Sequence, residues 1–150
     1  IANKLDKVPY RVYALVGDGE SEEGIVWEAM MVAAHYNLDN FCVIFDQNGL
    51  QIDGDTKKVM DMEPIDGKFE AFGFDAVRVK GNDVEALYEA LTKEPTDKPI
   101  AIIMDNVKGS GVKGIEETPA NHSMTLPAET WDTYIEAVKA DLAALEKEVG

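Results

Sequence analysis

Apolar and polar residues follow one another along this chain in blocks whose spacing switches between two periods. Val12 to Val16 is a short unbroken apolar run closed by Gly17-Asp18-Gly19, the pattern of a strand buried on both faces. From about Ser21 to Tyr36 the spacing becomes helical. Ile25, Ala29, Val32, Ala33 and Tyr36 share one face, while Trp27, Met30, Met31 and Ala34 make the remainder apolar too. A helix apolar nearly all round has to be covered on several sides, by its own domain or by a second subunit. Phe41 to Phe45 predicts a second buried strand ending at Asp46-Gln47-Asn48-Gly49, so the three segments form a βαβ unit.

The alternation continues to the end. A short helix near Ile65 to Phe72 is closed by Gly73, a residue that can take the left-handed conformation at a helix end. Ala76 to Val79 predicts a third strand. Asn82, with Glu85 three residues on, resembles a capping box ahead of Val84, Leu87, Tyr88 and Leu91 at helical spacing. Ile100 to Met104 predicts a fourth strand. A last helix starts at Pro127, with Trp131, Tyr134, Ile135, Val138, Leu142 and Leu145 on one stripe. The expected fold is α/β: one domain over residues 1–150, with a mostly parallel sheet sandwiched by helices in doubly wound fashion. Two long irregular connections, residues 47–64 and 106–126, follow the carboxyl ends of strands. That is the edge where open α/β sheets bind ligands.

Charge and composition narrow the partners. With 14 basic and 29 acidic side chains the formal net charge is −15, and no basic run offsets it, which argues against a nucleic-acid backbone. No window approaches the roughly 20 apolar residues of a membrane span. Cys42 is the only cysteine, so an internal disulfide and a multi-cysteine metal site are excluded, and the expected compartment is the cytoplasm. Cys42, His35, Met30 and Met31 are expected to serve packing. Ile1 to Asp6 resembles the last turn of a helix, and the chain is expected to lack the first part of its domain.

The chemistry gathers in three loops at one sheet edge. Gly17 and Gly19 let backbone amides approach an anion near a helix start. Asp18 between them would repel a phosphate unless a hard cation lay between the two, so it is a candidate magnesium or calcium ligand. Asn48, 30 residues on, offers a neutral amide oxygen from the neighbouring loop. The third loop carries His122. Singly, Asp-Gly and Asn-Gly are ordinary turn dipeptides. Each at the end of a buried strand with a helix between, they make a site.

Gly17-Asp18-Gly19 followed some thirty residues later by Asn48 resembles the thiamine-diphosphate fingerprint. The longer text from Gly17 to Gly24 and from Asp46 to Gly54, with Lys108-Gly109-Ser110-Gly111-Val112 and Asn121-His122, resembles transketolases. It is most similar to the later part of the diphosphate-binding domain in the amino-terminal subunit of split transketolases. Gln47 stands where many thiamine-diphosphate enzymes have a first asparagine, and Ser123 where a glycine usually follows the histidine.

The resemblance implies a transferase of the pentose phosphate pathway that moves a two-carbon ketol unit from a ketose phosphate to an aldose phosphate. It implies that thiamine diphosphate is held through magnesium, or calcium, by Asp18, the Asn48 side chain and the Leu50 carbonyl. Gly17 and Gly19 would meet the diphosphate, Ile52 would give an apolar contact, and His122 would line the channel to the thiazolium and handle a substrate proton. Glu23 and Glu28 match glutamates of a buried acidic network linking the two sites of a dimer, and are counted with His122 as the expected catalytic residues. The implied partners are sugar phosphates, the carboxy-terminal, pyrimidine-binding transketolase subunit, and a second copy in a dimer of heterodimers (a heterotetramer). On this reading the chain alone is inactive. Alternatives are a related enzyme of the 1-deoxyxylulose-phosphate synthase or dihydroxyacetone synthase type, or a non-catalytic nucleotide- or partner-binding α/β domain.

Overall fold

The computed structural model describes residues 1–149, so Gly150, the last position of the expected domain, lies outside the described residues. In chain order the first half contains α1 (Ala2–Asp6), β1 (Val12–Gly17), a 3-10 turn (Glu20–Glu22), α2 (Gly24–His35) and β2 (Phe41–Gln47). A small hairpin of β3 (Leu50–Gln51) and β4 (Gly54–Asp55) follows, then α3 (Thr56–Val59) and α4 (Ile65–Phe72). The second half contains β5 (Asp75–Lys80), α5 (Val84–Thr92), β6 (Ile100–Asp105), a 3-10 turn (Pro119–Ser123) and α6 (Ala128–Val149).

The four long strands pair in parallel in the order β1-β2-β6-β5, as the alternation of strands and helices predicts, but β1, expected to be buried on both faces, is an edge strand whose Val12, Tyr13 and Leu15 are exposed. The central strands β2 and β6 carry the most buried residues, with Val43, Ala101, Ile102 and Ile103 wholly shielded from solvent. Register assigns the faces. Val43 lies beside Ala101 and Phe45 beside Ile103, packed with Met30, Ala33, Ile65 and Phe69 of α2 and α4. Cys42 lies beside Ile100 and Ile44 beside Ile102, packed with Ala90 and Leu91 of α5. The connections β1 to β2 and β2 to β5 advance across the sheet, whereas β5 to β6 turns back. Right-handed crossovers therefore put α2 and α4 on one face and α5 on the other. Burial pushes the Cys42 thiol up to about 11, which fits a packing residue.

Several elements depart from the sequence pattern. The helix expected from Ser21 begins instead at Gly24, after a 3-10 turn and an extended Glu23. The buried Ser21 hydroxyl donates to the Asp18 carbonyl, and the Trp27 indole donates to the Ser21 carbonyl. These bonds, with Trp27 stacked near Phe69 and Phe72, pin the turn below the helix. Asn82 does not cap α5. The cap is Asp83, whose carboxylate accepts from the Ala86 amide, while the Asn82 amide reaches across to Ser110. On α2 the inward residues are Met30 and Ala33, supported by Val26, Trp27 and Ala34, whereas Ile25, Val32 and Tyr36 stay exposed, as do Met31 and His35, which were expected to pack. Of the apolar stripe of α6, Trp131, Ile135, Val138, Leu142 and Leu145 are likewise exposed, and Tyr134 is half-buried. Gly73 closes α4 as expected, at φ 96°. Among the described residues no helix is long and apolar enough to cross a membrane.

Candidate functional site

Parallel pairing brings three strand ends to one edge: Gly17 stands beside Asp46, and Gln47 beside Asp105. The loops that follow β1, β2 and β6 therefore meet in space. They line one open cavity of about 560 Å³ that holds Gly17, Asp18, Gly19, Glu23, Asn48, Leu50, Ile52 and His122 together. Of the residues singled out in the sequence, Glu28 alone lies elsewhere, at the rim of an apolar hollow formed by Ile25, Ala29, Val32, Leu38 and Phe41. Glu23 and Glu28, expected in a buried network, are both exposed in the single chain, since among the described residues the outer face of α2 has no covering element.

Asp18 is the centre of the arrangement. One of its carboxylate oxygens accepts from the amides of Asn48 at 2.8 Å and Gly49 at 3.0 Å, so the first loop grips the second. Gly49, at φ 75°, supplies the left-handed residue this tight return needs. The Asn48 side-chain oxygen accepts from the Leu50 amide at 3.1 Å, an Asx turn that leads directly into the β3–β4 hairpin. Ile52 sits at the hairpin tip, 71% exposed. The hairpin packs against the 3-10 turn carrying His122, which is how two long loops come to share one cavity. Burial pushes the Asp18 carboxyl above its ordinary value, helped by the neighbouring Asp46 charge, while the two amides and Lys108 pull the other way.

The glycine loop is not arranged as the anion cradle expected at a helix start. The Gly17 amide already donates to the Glu20 carboxylate at 2.9 Å, and α2 begins a turn later. Gly19 has ordinary right-handed backbone angles, and a Cβ there would meet the Gln51 side chain at 3.5 Å. The fold itself does not demand glycine at that position, and its missing side chain leaves the cavity wall open.

The donors present fit a hard divalent cation. The Asp18 carboxylate, the Asn48 amide oxygen and the Leu50 carbonyl are oxygen ligands of the type magnesium and calcium take. Two further wall oxygens, Glu22 Oε1 and Gln51 Oε1, are buried without a hydrogen-bond donor. No cluster of three or more His, Cys, Asp or Glu placed to hold a metal occurs among the described residues. A cation here would complete a shell of about six with water or with oxygens of its ligand.

Lys108 is a cavity-lining residue that sequence reasoning missed. It lines the cavity, places its ammonium 3.4 Å from His122 Nδ1, and offsets part of the wall's negative charge. Its signal lies in the Lys-Gly-Ser-Gly text of the third loop, but a lone lysine in a polar loop is ordinarily a solvated one.

The chain matches the family described as transketolase, thiamine diphosphate binding domain, over residues 2–143. It is 36% identical over 150 residues to the 6-deoxy-6-sulfo-D-fructose transketolase subunit SqwG of Clostridium sp. (strain MSTE9), covering 99% of this chain and 52% of that protein. It is 37% identical over 140 residues to one of the apulose-4-phosphate transketolase subunits, from Actinobacillus succinogenes, covering 93% of this chain and 51% of that protein. The crystal structure of transketolase from Campylobacter jejuni superimposes with a TM-score of 0.82 at 32% identity, covering 89% of this chain and 21% of that one. The chain thus spans about half the length of the first two relatives.

Proposed function

We propose, from the premise that this chain belongs to the transketolase thiamine diphosphate binding domain family, that it anchors the diphosphate end of thiamine diphosphate through magnesium. Calcium is an admissible substitute. In this reading it forms part of an enzyme moving a two-carbon ketol unit from a ketose phosphate to an aldose phosphate. The observation that carries it is the meeting of Asp18, Asn48 and His122 in one cavity at the carboxyl edge of the sheet.

When bound, thiamine diphosphate supplies the carbanion chemistry, which the protein does not perform. The chain's own residues bind and position. Asp18, Asn48 and the Leu50 carbonyl hold the cation, and Lys108 adds positive charge beside the diphosphate. Gly17 and Gly19 leave the wall open to the ligand, and Ile52 gives it an apolar contact. His122 stands at the same cavity with a ring nitrogen available to exchange a proton with a substrate hydroxyl. A wall this acidic holds an anion only with such compensation.

Two relatives are named as transketolase subunits, which supports a partner that holds the pyrimidine end. We place the chain with a carboxy-terminal, pyrimidine-binding subunit in a dimer of heterodimers. Glu23 and Glu28, exposed in the single chain, would face the second copy there. The test is reconstitution with that partner. Ketol transfer is expected from the mixture and from neither chain alone, and Asp18→Ala is expected to abolish magnesium-dependent cofactor binding. Undiminished binding by Asp18→Ala, or ketol transfer by this chain alone, would contradict the reading.

A further inference from the structure

The loop carrying Asn48 is tied down from a second side, away from the cavity. Gln47 donates its side-chain amide to Glu63 Oε1 at 2.5 Å. Glu63, just before α4, takes two hydrogen bonds from Arg78 Nη2, at 3.1 Å and 3.0 Å. Arg78 projects from edge strand β5 and spends its remaining donors on Asp105 at the end of β6, at 2.8 Å, and on Asp66 of α4, at 3.5 Å. One guanidinium thus spans the β5, β6 and α4 ends and, through Glu63, reaches β2.

Register explains the convergence: Gln47 stands beside Asp105, and Arg78 beside Ile103. Gln47, Asp105 and Arg78 therefore project on the same face of the sheet, the one that α4 covers. The main chain is tied as well, since the Asn106 amide donates to the Gln47 carbonyl at 3.0 Å and its side chain donates to Asp46 at 2.6 Å. Gly81 makes room for that side chain, because a Cβ there would collide with the Asn106 amide group.

We infer that Arg78 is a positioning residue for the candidate metal loop, acting through Glu63 and Gln47 to hold Asn48 and Gly49 where their amides meet Asp18. This rests on the reading of Asp18 and Asn48 as cation ligands. Without Arg78, Glu63 and Asp105 would face each other and Asp66 uncompensated, and the Gln47 anchor would be repelled from its place. Lysine cannot substitute, because one ammonium does not fork across two carboxylates and a third neighbour.

The test is amide hydrogen exchange on the metal-free, cofactor-free chain, comparing wild type with Arg78→Lys, Gln47→Leu and the double variant. Arg78→Lys keeps the charge and loses the fork. Gln47→Leu cuts the tie to the loop and leaves the Arg78–Glu63 pair standing. Each single variant is expected to speed exchange at the Asn48 and Gly49 amides about tenfold while the sheet amides of Val43 and Ile102 keep their protection. The double variant is expected to exchange no faster than the singles, because both cut one path. Unchanged exchange at Asn48 and Gly49, equal acceleration in the sheet, or additive effects in the double variant would overturn the assignment.

A parallel titration of the reconstituted complex with thiamine diphosphate and magnesium separates this from the cofactor reading. Wild type that does not bind overturns the cofactor reading, and the exchange comparison still decides the role of Arg78. Where wild type binds, Arg78→Lys is expected to bind about tenfold more weakly, and equal affinity would count against the link.

Discussion

The Asp18 carboxylate stands in surroundings that disfavour its charge. Burial and the Asp46 charge raise its carboxyl above the ordinary value despite two amide donors and Lys108. A raised folded-state value means that ionised Asp18 costs stability at neutral pH, and that the cost fades as pH falls through that value. Asp18→Asn, which keeps an acceptor for Asn48 and Gly49, is expected to melt at a higher temperature than wild type at pH 7, with the gain shrinking in acid. Magnesium with thiamine diphosphate is expected to raise the wild-type melting temperature and leave Asp18→Asn unmoved. A lower melting temperature for Asp18→Asn at pH 7 would contradict this. Lys108 has the opposite role, and Lys108→Met is expected to weaken cofactor binding roughly tenfold at low salt and by less at high salt. Asp18, Asn48 and His122 were legible in the sequence because they stand in glycine-punctuated loops at the ends of recognisable strands. Lys108 was not, since its meaning depends on the distance to His122 across the folded loop.

At the scale of elements, the strands and their order of appearance were legible because the centres of β2 and β6 are buried and their text is almost purely apolar. Helix starts were less so, because side chains that satisfy local rules are taken by long-range partners. Asn82 has the identity and spacing of a cap, yet its amide bonds to Ser110, and Asp83 takes the capping position. Asp83→Ala is therefore expected to destabilise the chain by about 1 kcal/mol in urea unfolding, and Asn82→Ala to leave α5 nearly intact. Likewise Ser21, an ordinary helix starter, is buried in the turn that supports Asp18. The Arg78 cluster belongs to this scale as well. Burial alone would raise Glu63, but the Ile65 amide and the Arg78 guanidinium hold its carboxyl below the ordinary value. That support is fully present above the unfolded carboxylate range and is lost as pH falls through the lowered folded value, so loosening of the loop in acid is expected to follow protonation of Glu63.

Across the whole molecule, apolar side chains among the described residues stay exposed on the outside of α2, on β1 and along α6, among other places. Ile25, Val32 and Tyr36 line the outside of α2, Tyr13 and Leu15 face out from edge strand β1, and the α6 stripe runs from Trp131 to Leu145. The all-round apolar pattern of α2 announced a second covering but could not say which face the domain itself would use; packing of Met30 and Ala33 on the sheet decided that. If the outer face of α2 meets a second copy, Val32→Glu is expected to shift the sedimenting species from dimer toward monomer, and an unchanged mass would count against that contact. The measurement that bears most directly on the site is a calorimetric titration of the reconstituted complex with thiamine diphosphate and with thiamine, each in magnesium and in chelator. Binding of thiamine diphosphate only in magnesium, with thiamine binding far more weakly in both conditions, is the predicted result. Equal binding of the two ligands, or binding indifferent to the cation, would contradict a site built to hold a diphosphate through a metal.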